Sequence, residues 1–510
     1  MVLSWFDILI FLIFILIVVS VSIFKSRKGK TSEDFFLASR GLTWQLIGIS
    51  LIAANISTEQ FVGMSGQGAG ITGFAIASYE WMAAITLIVV AFLVLPKFLK
   101  VGIYTIPEFL EYRFNKTART IMAVYMILTY VAVTVSAVIY SGGLTINTIF
   151  DLDLTASIWL IGLVAALYAS WGGLKAVAWA DLFQGGALLI GGFVVLYLSL
   201  NAIGGWGEFM ANNHTKMHMI LPADHPVLPW TALLVGLWIP NFYYWGLNQY
   251  ITQRTLAAKS VKEGQRGIVF AAALKLTIPF IIVVPGIIAG QLYASDLSNS
   301  DAAYPMLIKH LVPNGLKGFL FAAISGAVIS SLASMSNSAS TIFTMDIYTQ
   351  YINKTQDNKK IITVGRITTI AVVVIGCIIA PFLGHPALKG IFTFIQEFQG
   401  FISPGVLAAF IFGIFIKKAP KDSGTVALLL NAVMYGMLLL FFSDIAFLNR
   451  MAISFGTVIL VLTSMTLYKP LPIPVVLPVR KDFDTTTSRS TTIMGVVVIV
   501  ITLILYAIFW

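Results

Sequence analysis

Apolar runs of about twenty residues recur along the whole chain, separated by short polar loops. At 1.5 Å per helical residue, such a run matches the hydrocarbon thickness of a bilayer, so each predicts a membrane-spanning helix. The runs fall at 6–24, 44–68, 76–98, 119–147, 156–172, 180–202, 229–251, 267–290, 318–346, 361–383, 391–416, 423–443, 448–468 and 491–510, about fourteen spans. Two are interrupted. SLIAANISTEQFVGM at 50–64 carries Asn55, Ser57, Thr58, Glu59 and Gln60, where a span should stay apolar. WIPNFYYWGLNQ at 238–249 contains Pro240, which removes a backbone donor and disfavours helix at Ile239. Polar or irregular backbone survives at that depth only around a buried site or a wet cavity. The interruptions lie five spans apart, and inverted five-helix repeats that each open with a broken helix are a pointer to secondary transporters. The symmetry rests on polarity alone, since no residue-level repeat accompanies it. The expected layout is an extra N-terminal helix and loop (1–43), a first five-helix repeat (44–202), an outer loop (203–228), a second repeat (229–416) and peripheral C-terminal helices (417–510).

Composition supports this reading. Charged residues make up 11% of the chain and hydrophobic ones 58%, with mean hydropathy +0.90. Soluble domains carry about 25% charge, so a sizeable soluble domain is excluded. The net charge of +10 would suggest nucleic acid in a soluble protein, but its distribution points to orientation in a bilayer. Lys25, Arg27, Lys28 and Lys30 directly follow the first span, which predicts a cytoplasmic loop and an outside N-terminus. That first run is long and lacks a cleavage site, so it reads as an anchor rather than a signal peptide. With fourteen spans both ends lie outside, and the cytoplasmic side takes 26 of the 32 Lys and Arg. Lys216, Lys309, Lys317, Lys389 and Arg450 fall on the outer side, and Lys275 falls inside a span. The 203–228 loop is too short for a domain. The single Cys377 excludes an intrachain disulfide and argues against thiol metal ligation.

Three groups of residues carry candidate chemistry. Ala327, Ser330, Ser331, Ser334 and Ser338 share one helix face. Hydroxyls and carbonyls suit a small hard cation, although small residues also make packing faces in membranes. Glu59, Glu80, Asp181, Glu397 and Lys275 are ionisable groups that fit no loop, which by default marks a functional site. Lys275 could instead snorkel, and Glu59 could brace the broken helix. Gln60, Glu80, Asn241, Lys275 and Gln396 offer amide, carboxylate and ammonium groups from five spans, the mixture that a sugar's hydroxyls need. Tyr243, Tyr244 and Trp245 could stack on a sugar ring or be ordinary interfacial aromatics. The five His show no metal-ligand spacing, and no phosphate-binding loop is present for ATP.

The stretches SLIAANISTEQFVGMSG, ASYEWM, GIYTIPEFLEYRFN, WGGLKAV, NFYYWGLNQYITQRTLAAKS, SSLASMSNSASTIFTMDIY and FIQEFQGFISPG resemble the sodium/solute symporter family. The likeness is to its sodium/glucose cotransporter branch and that branch's bacterial galactose-transporting members. It runs in order over nearly the whole chain. It implies the LeuT-type fold, alternating access and a sodium ion held by the carbonyls of Ala53, Ile56 and Ala327 and the hydroxyls of Ser330 and Ser331. It implies sugar contacts from Gln60, Glu80, Asn241, Lys275 and Gln396, with Tyr244 as inner gate. Met64, Tyr79 and Phe392 would close the site from outside, and Asp181 would line the inward sodium exit. Galactose-transporting members have a serine where this chain has Ala83, and members holding a second sodium have a hydroxyl where it has Ala333. One sodium per neutral monosaccharide is therefore expected, in the plasma membrane and without nucleic acid. Other readings are a symporter for myo-inositol or a sialic acid, the latter disfavoured by Glu80, or a channel or sensor domain. An enzyme would need a nucleophile–base pair or metal set, and neither is visible.

Overall fold

A computed structural model describes residues 4–26, 31–150, 152–297, 299–354, 357–385, 391–480, 484 and 486–510. Arg27, Lys28, Lys30 and Lys389 of the charge argument lie outside them. The described residues are helical, with one isolated bridge between Leu42 and Ala258. In order, the main helices are α1 (Trp5–Ser26), α2 (Trp44–Asn55), α3 (Gln60–Ala69), α4 (Gly73–Val101), α5 (Lys116–Phe150) and α6 (Leu154–Ala202). They continue with α7 (Trp238–Leu247), α8 (Gln249–Leu256), α9 (Val261–Leu292), α10 (Leu316–Ile352) and α11 (Asn358–Gly384). The last are α12 (Ile391–Gln399), α13 (Ser403–Phe415), α14 (Ser423–Phe441), α15 (Phe447–Tyr468) and α16 (Arg489–Ile508). Each of the fourteen apolar runs falls on helical structure. Among the described residues nine helices are long and apolar enough to cross a membrane, or up to eleven with two bent pairs.

The first interruption is a true break. α2 stops at Asn55, Ile56 takes φ −81° and ψ 62°, and α3 leaves at 55° to α2. The second break brackets α7. Residues 235–237 form a turn before it, and Asn248 is extended (φ −88°, ψ 123°) after it. Ile239 is nevertheless helical, contrary to expectation. Pro240 occupies the first turn of α7, where a missing N–H breaks no intrahelical bond. A third bend, unforeseen, sets α12 and α13 at 43°. There a Cβ on Gly400 would stand 2.1 Å from the Tyr435 ring, so only glycine allows that approach.

α6 holds two of the expected spans in one helical element. Ile161 and Val328 both meet Gly142, while Gly191 meets Leu320. Val328 and Leu320 are about 12 Å apart along α10, but thirty straight helical residues would part Ile161 from Gly191 by about 45 Å. α6 therefore doubles back, its two arms packing on one stretch of α10. Close packing without large side chains recurs where α3 meets α9. A Cβ on Gly286 would stand 2.3 Å from the Ser65 carbonyl, the small-residue contact by which membrane helices associate.

One end of the bundle gathers basic residues. Lys100 receives a backbone bond from Arg480, Lys417 from Val475 and Lys418 from Leu471. Val261, beside Lys259 and Lys262, donates to Asp484. At this charge-rich end Ala38, Ser39 and Arg40 all have positive φ, 51°, 56° and 47°. Arg40 clamps that turn, donating to Leu256 O (3.2 Å), Gly102 O (2.9 Å), Ile103 O (3.1 Å) and Glu33. At the opposite end Lys216 donates to Ala69 O at 2.8 Å, capping α3, although burial holds its ammonium below its ordinary pKa.

Candidate functional site

The breaks converge on a tight cavity of about 30 Å³. Gln60, Glu80, Asn241, Tyr244 and Gln396 line it, from α3, α4, α7 and α12, with Asn55, Trp245 and Gln399 filling gaps. Four of the five predicted sugar contacts thus meet on one wall. Lys275, the fifth, is fully buried behind Glu80. Its ammonium is bonded to Glu80 Oε2 and Asn55 Oδ1 and lies 4.7 Å over the Trp245 ring. Trp81 Nε1 donates to Leu276 O at 3.3 Å, tying α4 to α9 beside this pair. Two acceptors remain open: Gln60 Oε1 and Gln399 Oε1 are buried without a partner among the described residues. Tyr243 is buried but off the wall, so only Tyr244 and Trp245 of that trio face the cavity.

Aromatic side chains bound the cavity at both ends. Tyr79 and Phe392 meet edge-to-face at 5.0 Å, and both are wall residues. Met64 is fully buried and not on the wall. Its neighbour Gly63 lets α3 approach Phe392, whose Cβ would lie 2.8 Å from an added one. Toward the charge-rich end, the Tyr244 hydroxyl accepts from Asn55 Nδ2 at 3.1 Å and is bonded to the Tyr250 hydroxyl. The Tyr250 amide donates to the Tyr130 hydroxyl at 3.1 Å, and that hydroxyl is bonded to Asn248 at the second break.

The serines of α10 share one face, as their spacing predicted, and that face meets α6 and α8. Ser330 donates to Asp181 Oδ1, Ser334 accepts from Arg254 Nη2 at 2.6 Å, and Ser338 donates to Gln253 Oε1 at 2.7 Å. Ser331 Oγ is buried with no partner among the described residues. Ala327 is buried on the same face, Ala53 packs against Gly185, and Ile56 is buried at the break itself. A buried, orphaned hydroxyl on a face of small oxygen-bearing residues fits a hard cation that takes neutral oxygens. Among the described residues no His, Cys, Asp or Glu cluster could hold a metal instead.

Asp181 is the residue expected to line the inward sodium exit. It is fully buried, accepting from Ser50 and Ser330, and pairs with Arg254 Nη2 at 3.1 Å. Arg254 Nε donates to Ser50 Oγ at 2.6 Å, and Nη1 to Tyr250 O. The network joins the charge-rich halves of both broken helices, α2 and α8, to α6 and α10. Sequence reasoning missed Arg254 because it sits near a basic loop, with Lys259 and Lys262 close by. Glu397 lies apart, paired with Arg450, in an outer recess of about 690 Å³ that both residues line.

The family profile described as sodium:solute symporter matches residues 35–430. The sodium/glucose cotransporter of Vibrio parahaemolyticus is 43% identical over an alignment covering 100% of this chain and 99% of its own. The mouse sodium/glucose cotransporter 1 is 32% identical over 83% of this chain and 70% of its own. A solved Na+-coupled sialic acid symporter, substrate-bound and outward-open, shares the fold with a TM-score of 0.82. It is 22% identical and covers 93% of this chain and 99% of its own. The chain belongs to the sodium:solute symporter family. It is a multi-pass membrane transporter with the LeuT-type fold, and sodium is its co-substrate.

Proposed function

We propose that this protein carries a neutral monosaccharide of glucose or galactose type into the cell, driven by one sodium ion per sugar. The carrying observation is the cavity itself. Glu80, Gln60, Asn241 and Gln396 offer donors and acceptors from four helices to a polyhydroxylated ring. Tyr244 and Trp245 offer it aromatic faces. The names of the Vibrio and mouse relatives support the same substrate class. Glu80 weighs against a carboxylated solute, which would meet like charge at the wall. Sodium is assigned to the carbonyls of Ala53, Ile56 and Ala327 and the hydroxyls of Ser330 and Ser331. The stoichiometry rests on Ala333, buried against Ala169 and Val177 with no oxygen to offer a second ion.

Sodium bound there bridges α2 and α10, stabilises the form open to the outside and sets the break that carries Asn55. Sugar then bonds the polar wall, and Tyr79 with Phe392 closes over it. Release inward needs Tyr244 to swing from Asn55 and Tyr250, and the Asp181–Arg254 network to part. Linkage requires sugar to tighten sodium by the factor that sodium tightens sugar. One charge moving down 100 mV supplies about 2.3 kcal/mol, and about 1.4 kcal/mol sustains a tenfold sugar gradient. The charge-rich end faces the cytoplasm and both termini face outside in the plasma membrane. The test is uptake of labelled glucose and galactose into proteoliposomes with and without an inward sodium gradient. Sodium-driven accumulation of either is expected. Uptake of neither, in vesicles that accumulate myo-inositol with sodium, would move the substrate to a polyol, as in the name of the mouse sodium/myo-inositol cotransporter 2, 31% identical to this chain.

A further inference from the structure

Away from the transport cavity, a groove of about 270 Å³ opens between α2, α9 and α16 near the charge-rich end. Its two halves differ in chemistry. Val269, Phe270 and Met494 make an apolar trough along the helices. Arg266, Ser490 and Thr491 crown one end. Arg266 is half-buried and has no hydrogen-bond or ion-pair partner among the described residues. Glu263, one turn before it, forms no ion pair with it and instead accepts the Trp44 amide at 2.8 Å. Thr491 is 2% exposed, and its Oγ1 also lacks a partner among the described residues. The Thr491 hydroxyl points to an absent polar ligand, because a buried hydroxyl left unpaired costs about 1–3 kcal/mol, and Arg266 stands beside it with its charge free to meet one.

Depth identifies the ligand's class. Lys275 lies near the middle of α9, and Arg266 precedes it by nine residues, about 13.5 Å along the axis. Half the hydrocarbon thickness is about 15 Å, so Arg266 stands at the headgroup boundary. Trp44, its ring 5.5 Å from Phe270, is the kind of side chain that anchors there. The 20-residue α16 begins at Arg489, and Ser488 makes no side-chain cap, so its first amides add positive potential at the same spot. We propose that this groove binds one anionic phospholipid from the leaflet at the charge-rich end. The phosphate lies between Arg266, Thr491 and the start of α16, and an acyl chain lies along Val269, Phe270 and Met494. Basic recesses between helices are known headgroup sites on that side of membranes. The occupant would join α16 to the base of α2, the helix that ends in the first break.

Native mass spectrometry of the delipidated full chain tests this. It would be titrated with phosphatidylglycerol, with phosphatidylcholine of the same acyl chains, and with glycerol 3-phosphate. One phosphatidylglycerol should bind about fivefold more tightly than phosphatidylcholine, the worth of one basic side chain at a charged lipid surface. Arg266→Gln and Thr491→Val should erase that preference, and Arg266→Lys should retain most of it, which separates charge from misfolding. Equal binding of the two lipids, or an unchanged preference in Arg266→Gln, would overturn the assignment. Glycerol 3-phosphate binding as tightly as the lipid would overturn it too, in favour of a soluble phosphate.

Discussion

Two of the buried ion pairs in this protein are finished to different degrees. Asp181 and Arg254 are close to saturated, with Ser50, Ser330, Ser334 and the Tyr250 carbonyl bonded to one or both of them. Glu80 and Lys275 border a cavity in which Gln60 Oε1 and Gln399 Oε1 have no partner. A saturated pair gains nothing from a ligand and serves to join helices. A pair beside open acceptors is completed by whatever enters. Burying a charge is costly in either place, so the location of unmet bonding capacity separates a brace from a binding site.

The comparison can be broken at either pole. Arg254→Met should do most damage, because it strands Asp181 without its cation. A loss of about 3–5 kcal/mol in stability is expected, read as a lowered melting temperature in detergent. A variant that melts like the parent would mean the pair is no brace. Ser331→Ala removes the orphaned hydroxyl and should weaken sodium activation of uptake by about 1.5–3 kcal/mol, with melting unchanged. An unaltered sodium curve would take Ser331 out of the ion site. Gln60→Ala should cost sugar about 1–3 kcal/mol of affinity, measured by equilibrium binding, while leaving sodium affinity in the absence of sugar intact. Parental sugar affinity would show that the open acceptor is not used. The smallest effect is expected from Ala83→Ser, a buried position one turn past Glu80. It should shift preference toward galactose by about 0.5–1.5 kcal/mol in paired competition, and identical epimer ratios would dismiss that position.

Much of this was legible in the sequence, for physical reasons. Hydropathy located the helices, since a bilayer tolerates little else, and the polar run from Asn55 to Gln60 located the first break. The spacing of Ser330, Ser334 and Ser338 gave their common face, because helix periodicity is rigid. What stayed hidden depends on three-dimensional approach. Pro240 reads as a breaker until its place in the first turn of α7 is known. The bend at Gly400 follows from a Tyr435 ring thirty-five residues away. Arg254 resembles one more basic residue near a loop, and only the fold carries it to Asp181. Lys275 was found by its improbable position, but its seat behind Glu80 depends on where Asn55 and Trp245 stand.

The turn at Ala38–Arg40 has a mechanical consequence. Left-handed backbone costs an ordinary residue roughly 1–2 kcal/mol, and three such residues stand in a row. Arg40 holds them cocked by gripping Leu256, Gly102 and Ile103. Any movement that loosens this grip lets the turn recoil to ordinary dihedrals and returns part of that cost. The charge-rich end is thus latched against a spring, and opening it takes less work than its count of hydrogen bonds would suggest.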